Sequence, residues 1–129
     1  MLAAGRELDV LLAEKIMGWT VHHAKEGGWG APPANVRLGA ISEYIPAYST
    51  DIAAAWEAVE KIGRRVASKR CVVDFILEWD HSENCWCAGW AYYSYDGPQY
   101  EFAGKAETAP LAICLAALDA VGYEPKETA

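Results

Sequence analysis

Four cations, three strand aromatics and two helix starts hold most of the binding chemistry available to this sequence. Arg64, Arg65, Lys69 and Arg70 cluster in a chain whose net charge is -7. Trp86, Trp90 and Tyr92 recur at even spacing, which puts them on one face of a strand. Ser49-Thr50-Asp51 and Glu107-Thr108-Ala109 read as helix mouths, where unpaired N–H groups and the positive dipole end suit an anion. Lys105 lies just before the second mouth and favours it. Cations or amides beside aromatics could together seat a phosphate-bearing ligand. The candidate ligand-binding residues are therefore Arg64, Arg65, Arg70, Trp86, Trp90, Tyr92, Lys105, Glu107 and Thr108.

Each candidate also has a plain structural reading. Helix caps contribute about 1 kcal/mol each to stability with no ligand at all. Basic residues at the end of a helix suit its dipole. A row of aromatics on one strand face is commonly core beneath a helix, or an interface with another chain.

Other chemistries fit less well. His81, Cys85 and Cys87 offer three metal ligands where structural zinc takes four, so no metal is expected. Cys85 and Cys87 share a strand face and are poorly placed to bond each other. His22 and His23 point to opposite sides if they lie on a strand. No G-x-S-x-G, P-loop, G-x-G-x-x-G or H-E-x-x-H occurs. Glu78, Asp80 and Glu83 stand near a turn, where carboxylates are ordinarily solvated. No catalytic residue and no cofactor are expected.

The bulk properties set the frame. A chain of 129 residues with 53% hydrophobic and 22% charged content has the make-up of one globular domain, expected to span 1–129. No apolar run reaches the roughly 20 residues that cross a bilayer. The N-terminus lacks the apolar stretch of an export signal, so the four cysteines are expected as reduced thiols in a soluble intracellular protein. A net charge of -7 disfavours long nucleic acids, which need a basic surface. It leaves room for one small nucleotide, because diffuse charge is screened within ~10 Å. Six Trp and seven Tyr supply flat surface for a core, an interface or a stacking site.

These residues need elements to position them. Leu8, Leu11, Leu12 and Ile16 recur at helical spacing and predict a first helix ending at Gly18. Trp19 to His23 reads as a short strand, and 24–37 as a long loop. Ser49 or Thr50 is expected to cap a second helix, with Ile52, Ala55, Trp56, Val59 and Ile62 on its buried stripe and Gly63 as its stop. Cys71 to Trp79 alternates as a strand, the DHSEN stretch turns, and Cys85 to Tyr95 runs back. Asp96-Gly97 marks a hairpin into a third strand from Pro98 to Lys105. Thr108 is expected to cap a last helix with Pro110 in its first turn, a stripe of Leu111, Cys114, Leu115, Leu118 and Val121, and Gly122 as its end. Residues 122–129 are expected to fray. The predicted class is α+β: an antiparallel sheet of about four strands layered with three α-helices, sandwich-like in α/β/α fashion.

Three stretches, ELDVLLAEKIMGW, YSTDIAAAWEAVEKI and AETAPLAICLAALDAVG, resemble the phage ABA-sandwich domain family. They cover about a third of the chain, in order and at both ends. The resemblance implies α/β/α layering. It further implies kinship with the Thoeris anti-defence sponge proteins, of that family or a close neighbour. Those proteins sequester a cyclic ADP-ribose isomer, and some hold cyclic oligonucleotides, as homo-oligomers and without cleavage. Members often read AICRAAL in the last helix, whereas this chain has Leu115 at the Arg position. No family binding residue is therefore carried across by position. The expected function is a non-catalytic sponge in the host bacterial cytoplasm, forming a dimer or higher homo-oligomer. The alternatives are a structural or regulatory phage protein that binds a protein partner through an aromatic face, and a hydrolase of the same signal.

Overall fold

The computed structural model describes residues 3–23, 29–31, 43–67 and 74–123. The elements run α1 (Arg6–Lys15), β1 (Thr20–His23), β2 (Trp29–Ala31), β3 (Glu43–Tyr44), α2 (Ile52–Ala67), β4 (Asp74–Asp80), β5 (Cys85–Ser94), β6 (Gly97–Ala106) and α3 (Ala109–Ala120). The three helices and the antiparallel hairpin strands are those the sequence predicts. The strands form two sheets, ordered β1-β2-β3 and β4-β5-β6, instead of one sheet of about four. Residues 24–37 were expected as loop throughout, yet Trp29–Ala31 pairs with both β1 and β3. Three residues are too few for alternation to show in the sequence.

In the main sheet, β4 and β5 pair from Asp74↔Ala91 to Asp80↔Cys85. The Asp80 carboxylate closes their turn, accepting from the Ser82 N–H (2.9 Å) and hydroxyl (2.7 Å). Ser94 pairs with Gly97, leaving Tyr95-Asp96 as the second turn, with φ +100 at Gly97. One face of the sheet carries Phe75, Leu77, Trp79, Trp86, Ala88, Trp90, Phe102, Gly104 and Ala106. Helices α2 and α3 pack on it. A Cβ on Gly104 would stand 2.5 Å from the Ala112 carbonyl and the Ala116 amide, so α3 rests almost directly on the strand backbone.

α3 is apolar nearly all round. Ala112, Ile113, Cys114, Ala116, Ala117 and Leu118 are buried between the sheet, α1 and α2. Of the expected stripe, Cys114 and Leu118 are buried, while Leu111, Leu115 and Val121 are half-buried. Gly122, at φ +76, ends the helix, and the Tyr123 amide returns to the Leu118 carbonyl at 3.0 Å. The rest of the expected tail, 124–129, lies outside the described residues.

α2 differs from its expectation in three ways. Asp51, not Ser49 or Thr50, caps it, its carboxylate accepting the Ala53 N–H at 3.0 Å. Ser49 is instead buried, held by the Asp9 carboxylate through its amide (2.8 Å) and hydroxyl (2.7 Å). The helix also passes through Gly63 to Ala67, because a glycine without positive φ and packed over Trp90 continues the helix. Ala54, Ala55, Ala58, Val59 and Ile62 form the buried face, whereas Ile52 (46%) and Trp56 (44%) stay exposed.

Candidate functional site

The main sheet separates the sequence candidates into two groups. Trp86 and Trp90 are four residues apart on β5, about 14 Å along the strand. At the Trp90 end lie Tyr92 and, on α2, Arg64 and Arg65. At the Trp86 end lie Lys105, Glu107 and Thr108. Arg70 and Lys69 fall outside the described residues.

The Trp90 end reads as core. Trp90 is 2% exposed, tilted against Phe75 at 5.0 Å between ring centroids. Phe75 in turn meets the edge of Trp56 at 5.4 Å. The Trp90 indole N–H is buried with no acceptor among the described residues. A ring packed this way offers no free face to a base, so Trp90 belongs to the core and not to a stacking site. Tyr92 is half-buried. Arg64 is exposed, 3.8 Å from Glu60 one helical turn earlier. Arg65 is exposed beside it and has interactions of its own.

The Trp86 end is more open. Trp86 is half-buried and meets the exposed Trp79 edge-on at 5.6 Å, and the His81 ring lies 6.5 Å from that of Trp79. Lys105 lies on the opposite sheet face, across from Cys87. Its ammonium bonds Glu83 at 2.7 Å, and that contact raises its pKa, so it stays a cation. Asp80 is held below its ordinary 3.8, first by the Ser82 hydroxyl and then by the Glu83 amide. Burial raises the Cys87 thiol, with Cys85 next in effect, which makes it a poor nucleophile. Tyr100 donates to Glu78 at 3.0 Å and is pushed up to about 12 by burial and that carboxylate.

The two helix mouths are now distinguishable. At α2 the Asp51 carboxylate already accepts the Ala53 amide, so an anion finds a negative charge in place. At α3, Thr108 is the N-cap residue in extended conformation, but its hydroxyl makes no cap bond. No acid stands in the first turn. Pro110 has no N–H, so Ala109 and Leu111 carry the outward amides of that turn. Glu107, just before the cap, is exposed. This mouth sits beside Ala106, which pairs with Trp86, and is three residues from Lys105.

Sequence reasoning missed Trp79 as a member of this end. The available signal was its place as the last inward residue of a strand before a turn, where a helix covers least. His81, Cys85 and Cys87 do not gather: among the described residues no group of three His, Cys, Asp or Glu side chains is placed to hold a metal ion. The carboxylates considered for acid–base work are engaged as well, Glu78 by Tyr100, Asp80 by its own turn and Glu83 by Lys105. Among the described residues no helix is long and apolar enough to cross a membrane.

Three helices with an antiparallel three-stranded sheet define an α+β domain. The sequence profile of the phage ABA sandwich domain matches residues 10–118, and the chain belongs to that family. It is similar to a crystallised phage protein from Bacillus cereus ATCC 14579, with a TM-score of 0.64 and 24% identity over 98% of this chain and 95% of that one. That likeness is one of fold. No curated protein matches the chain.

Proposed function

We propose that this phage protein is an anti-defence sponge. It binds a nucleotide-derived immune signal, a cyclic ADP-ribose isomer or a cyclic oligonucleotide, and holds it without cleavage in the host cytoplasm as a homo-oligomer. The observation that carries the reading is the mouth of α3. It combines a Thr108 hydroxyl that makes no cap bond, a first turn free of acid and the open Trp79–Trp86 pair, with Lys105, paired to Glu83, on the far face of the sheet. The amides address phosphate, Lys105 adds positive charge from the far face, Trp79 stacks the base, and Glu107 accepts from ribose hydroxyls. The engagement of Glu78, Asp80 and Glu83 by other groups supports trapping over hydrolysis.

The test is to incubate the protein with a panel of cyclic ADP-ribose isomers and cyclic oligonucleotides, denature it by heat and analyse the supernatant. Intact ligand released by heat is the expected result. Altered ligand identifies an enzyme, and no uptake of any candidate rejects the sponge. Trp79→Ala and Lys105→Ala should weaken capture while circular dichroism stays unchanged. A second reading, a protein partner held by aromatics, is favoured by the exposure of Trp56 and Trp79.

A further inference from the structure

Cys85 and Cys87 begin β5 on the sheet face away from the helices, because Trp86 between them packs toward the core. Both are free and half-buried, so solvent reaches the two sulfurs. Cys85 acts on the Cys87 thiol by charge and by a side-chain hydrogen bond, which places the sulfurs side by side.

The strand fixes how far apart they stand. Pairing is regular here, with Asp80↔Cys85, Glu78↔Cys87 and Cys87↔Lys105 in register. Residues two apart on such a strand are separated by about 6.7 Å. A disulfide draws its β-carbons to about 3.8 Å, so it would have to pucker a strand that is paired on both sides at Cys87. A bridging ion does not. Exchanging one sulfur–sulfur bond of about 2.05 Å for two metal–sulfur bonds of about 2.3 Å lengthens a straight bridge by about 2.5 Å. The bridge then spans nearly the strand spacing and leaves the backbone as it is.

The surroundings select the ion. The carboxylates opposite are engaged, Asp80 by Ser82 and Glu78 by Tyr100. Among the described residues no three His, Cys, Asp or Glu side chains are placed to hold a metal ion. Zinc, which takes four ligands, and calcium or magnesium, which take six or more, are poorly served. Two thiolates in line suit a soft ion that accepts two sulfurs, copper(I). Lys105 and Asp80 act on Cys87 with opposite sign, so sulfur and not fixed charge makes the choice.

We infer that Cys85 and Cys87 form a two-sulfur site for copper(I), bridged along one strand face. As each metal–sulfur bond forms, a thiol gives its proton to solvent. One ion enters, two protons leave, and no electron moves. The site uses no residue of the α3 mouth and stands apart from the sponge reading.

The probe is copper(I) itself, titrated without oxygen into the full chain against a colorimetric copper(I) chelator. One ion per chain is expected, and X-ray absorption should show it held by two sulfurs. That measurement uses the unaltered chain and decides even if a variant unfolds. Cys85→Ser and Cys87→Ser should each weaken binding at least about a hundredfold, the scale gained by holding a second ligand in place. Circular dichroism should show both variants folded. Cys71→Ser should leave the affinity unchanged, and Cys114 is buried in the core. Two ions per chain, one on each sulfur, would overturn the proposal. So would unaltered binding by either folded variant, zinc held as tightly as copper(I), or a Cys85–Cys87 disulfide found by mass spectrometry after mild oxidation.

Discussion

Two regions of this molecule are each built from an aspartate, a serine and a cation. Asp9, Ser49 and Arg6 form one group, and Asp80, Ser82 and Lys105 belong to the other. In the first, Asp9 is 1% exposed and accepts from Ser49 twice and from Arg6 at 2.9 Å. Arg6 continues to the Ile45 carbonyl and lies 4.1 Å over the Tyr44 ring. Ser49 is 40 residues from Asp9 in sequence, and the group fastens α1 to the turn that precedes α2. In the second group, Asp80 binds only its own turn, and Lys105 reaches Glu83 through solvent-exposed side chains. Burial separates their roles. A carboxylate taken from water must keep every partner, whereas one left in water can exchange them. The first group is thereby committed to the fold, and the second can change partners without loss of the fold.

The sharpest way to break this comparison is Asp9→Ala. It leaves Ser49 and Arg6 without their shared acceptor and should cost about 3–5 kcal/mol in urea unfolding. A loss no larger than for an exposed residue would refute the committed role. Ser49→Ala removes one donor and leaves the Asp9 carboxylate short of a partner, for a loss of about 1–3 kcal/mol by the same measurement.

Next is an alkaline effect confined to the buried side. Cys114 donates to the Tyr48 carbonyl at 3.2 Å, and its thiol is pushed from 9.0 to about 12, mainly by burial and secondly by the Asp9 charge. A folded value above the unfolded one means its contribution is whole below pH 9 and is lost as pH rises toward 12. Cys114→Ala should flatten that part of the stability curve, and an unchanged slope would show that the thiol is not the titrating group.

The exposed group should respond without unfolding. Ser82→Ala should return the Asp80 carboxyl toward 3.8 in an NMR titration, since Ser82 is the chief cause of its lowered value. A lowered folded value means any contribution to stability is present above 3.8 and fades as pH falls below it. The thermal midpoint at neutral pH should stay where it is. Lys105→Ala, the smallest expected change in stability, should leave the midpoint unmoved and appear only as weaker capture in the heat-release assay.

Much of the frame was legible in the residues. The turn at Asp80 and the Gly122 helix end follow from local chemistry, in which a side chain or a glycine acts on backbone a few residues away. The alternation of Phe75, Leu77 and Trp79 likewise reports one strand with one buried face. The α3 mouth could be located by Thr108 and Pro110, but whether the Thr108 hydroxyl was engaged could not. Ser49 shows the limit clearly. Its type and place suggested a cap, and only the arrival of Asp9 from α1 turned it inward.

The sequence by itself determined the helices, the hairpin strands and their order, because hydrophobic period and turn residues act over short stretches of chain. Tertiary structure decided which faces close and which stay open. It put Trp90 in the core while leaving Trp56 and Trp79 at the surface, filled the α2 mouth with Asp51, and left that of α3 free of acid. The physical reason is that burial depends on what packs against a residue from elsewhere in the chain, and residue spacing along one segment carries no record of that neighbour.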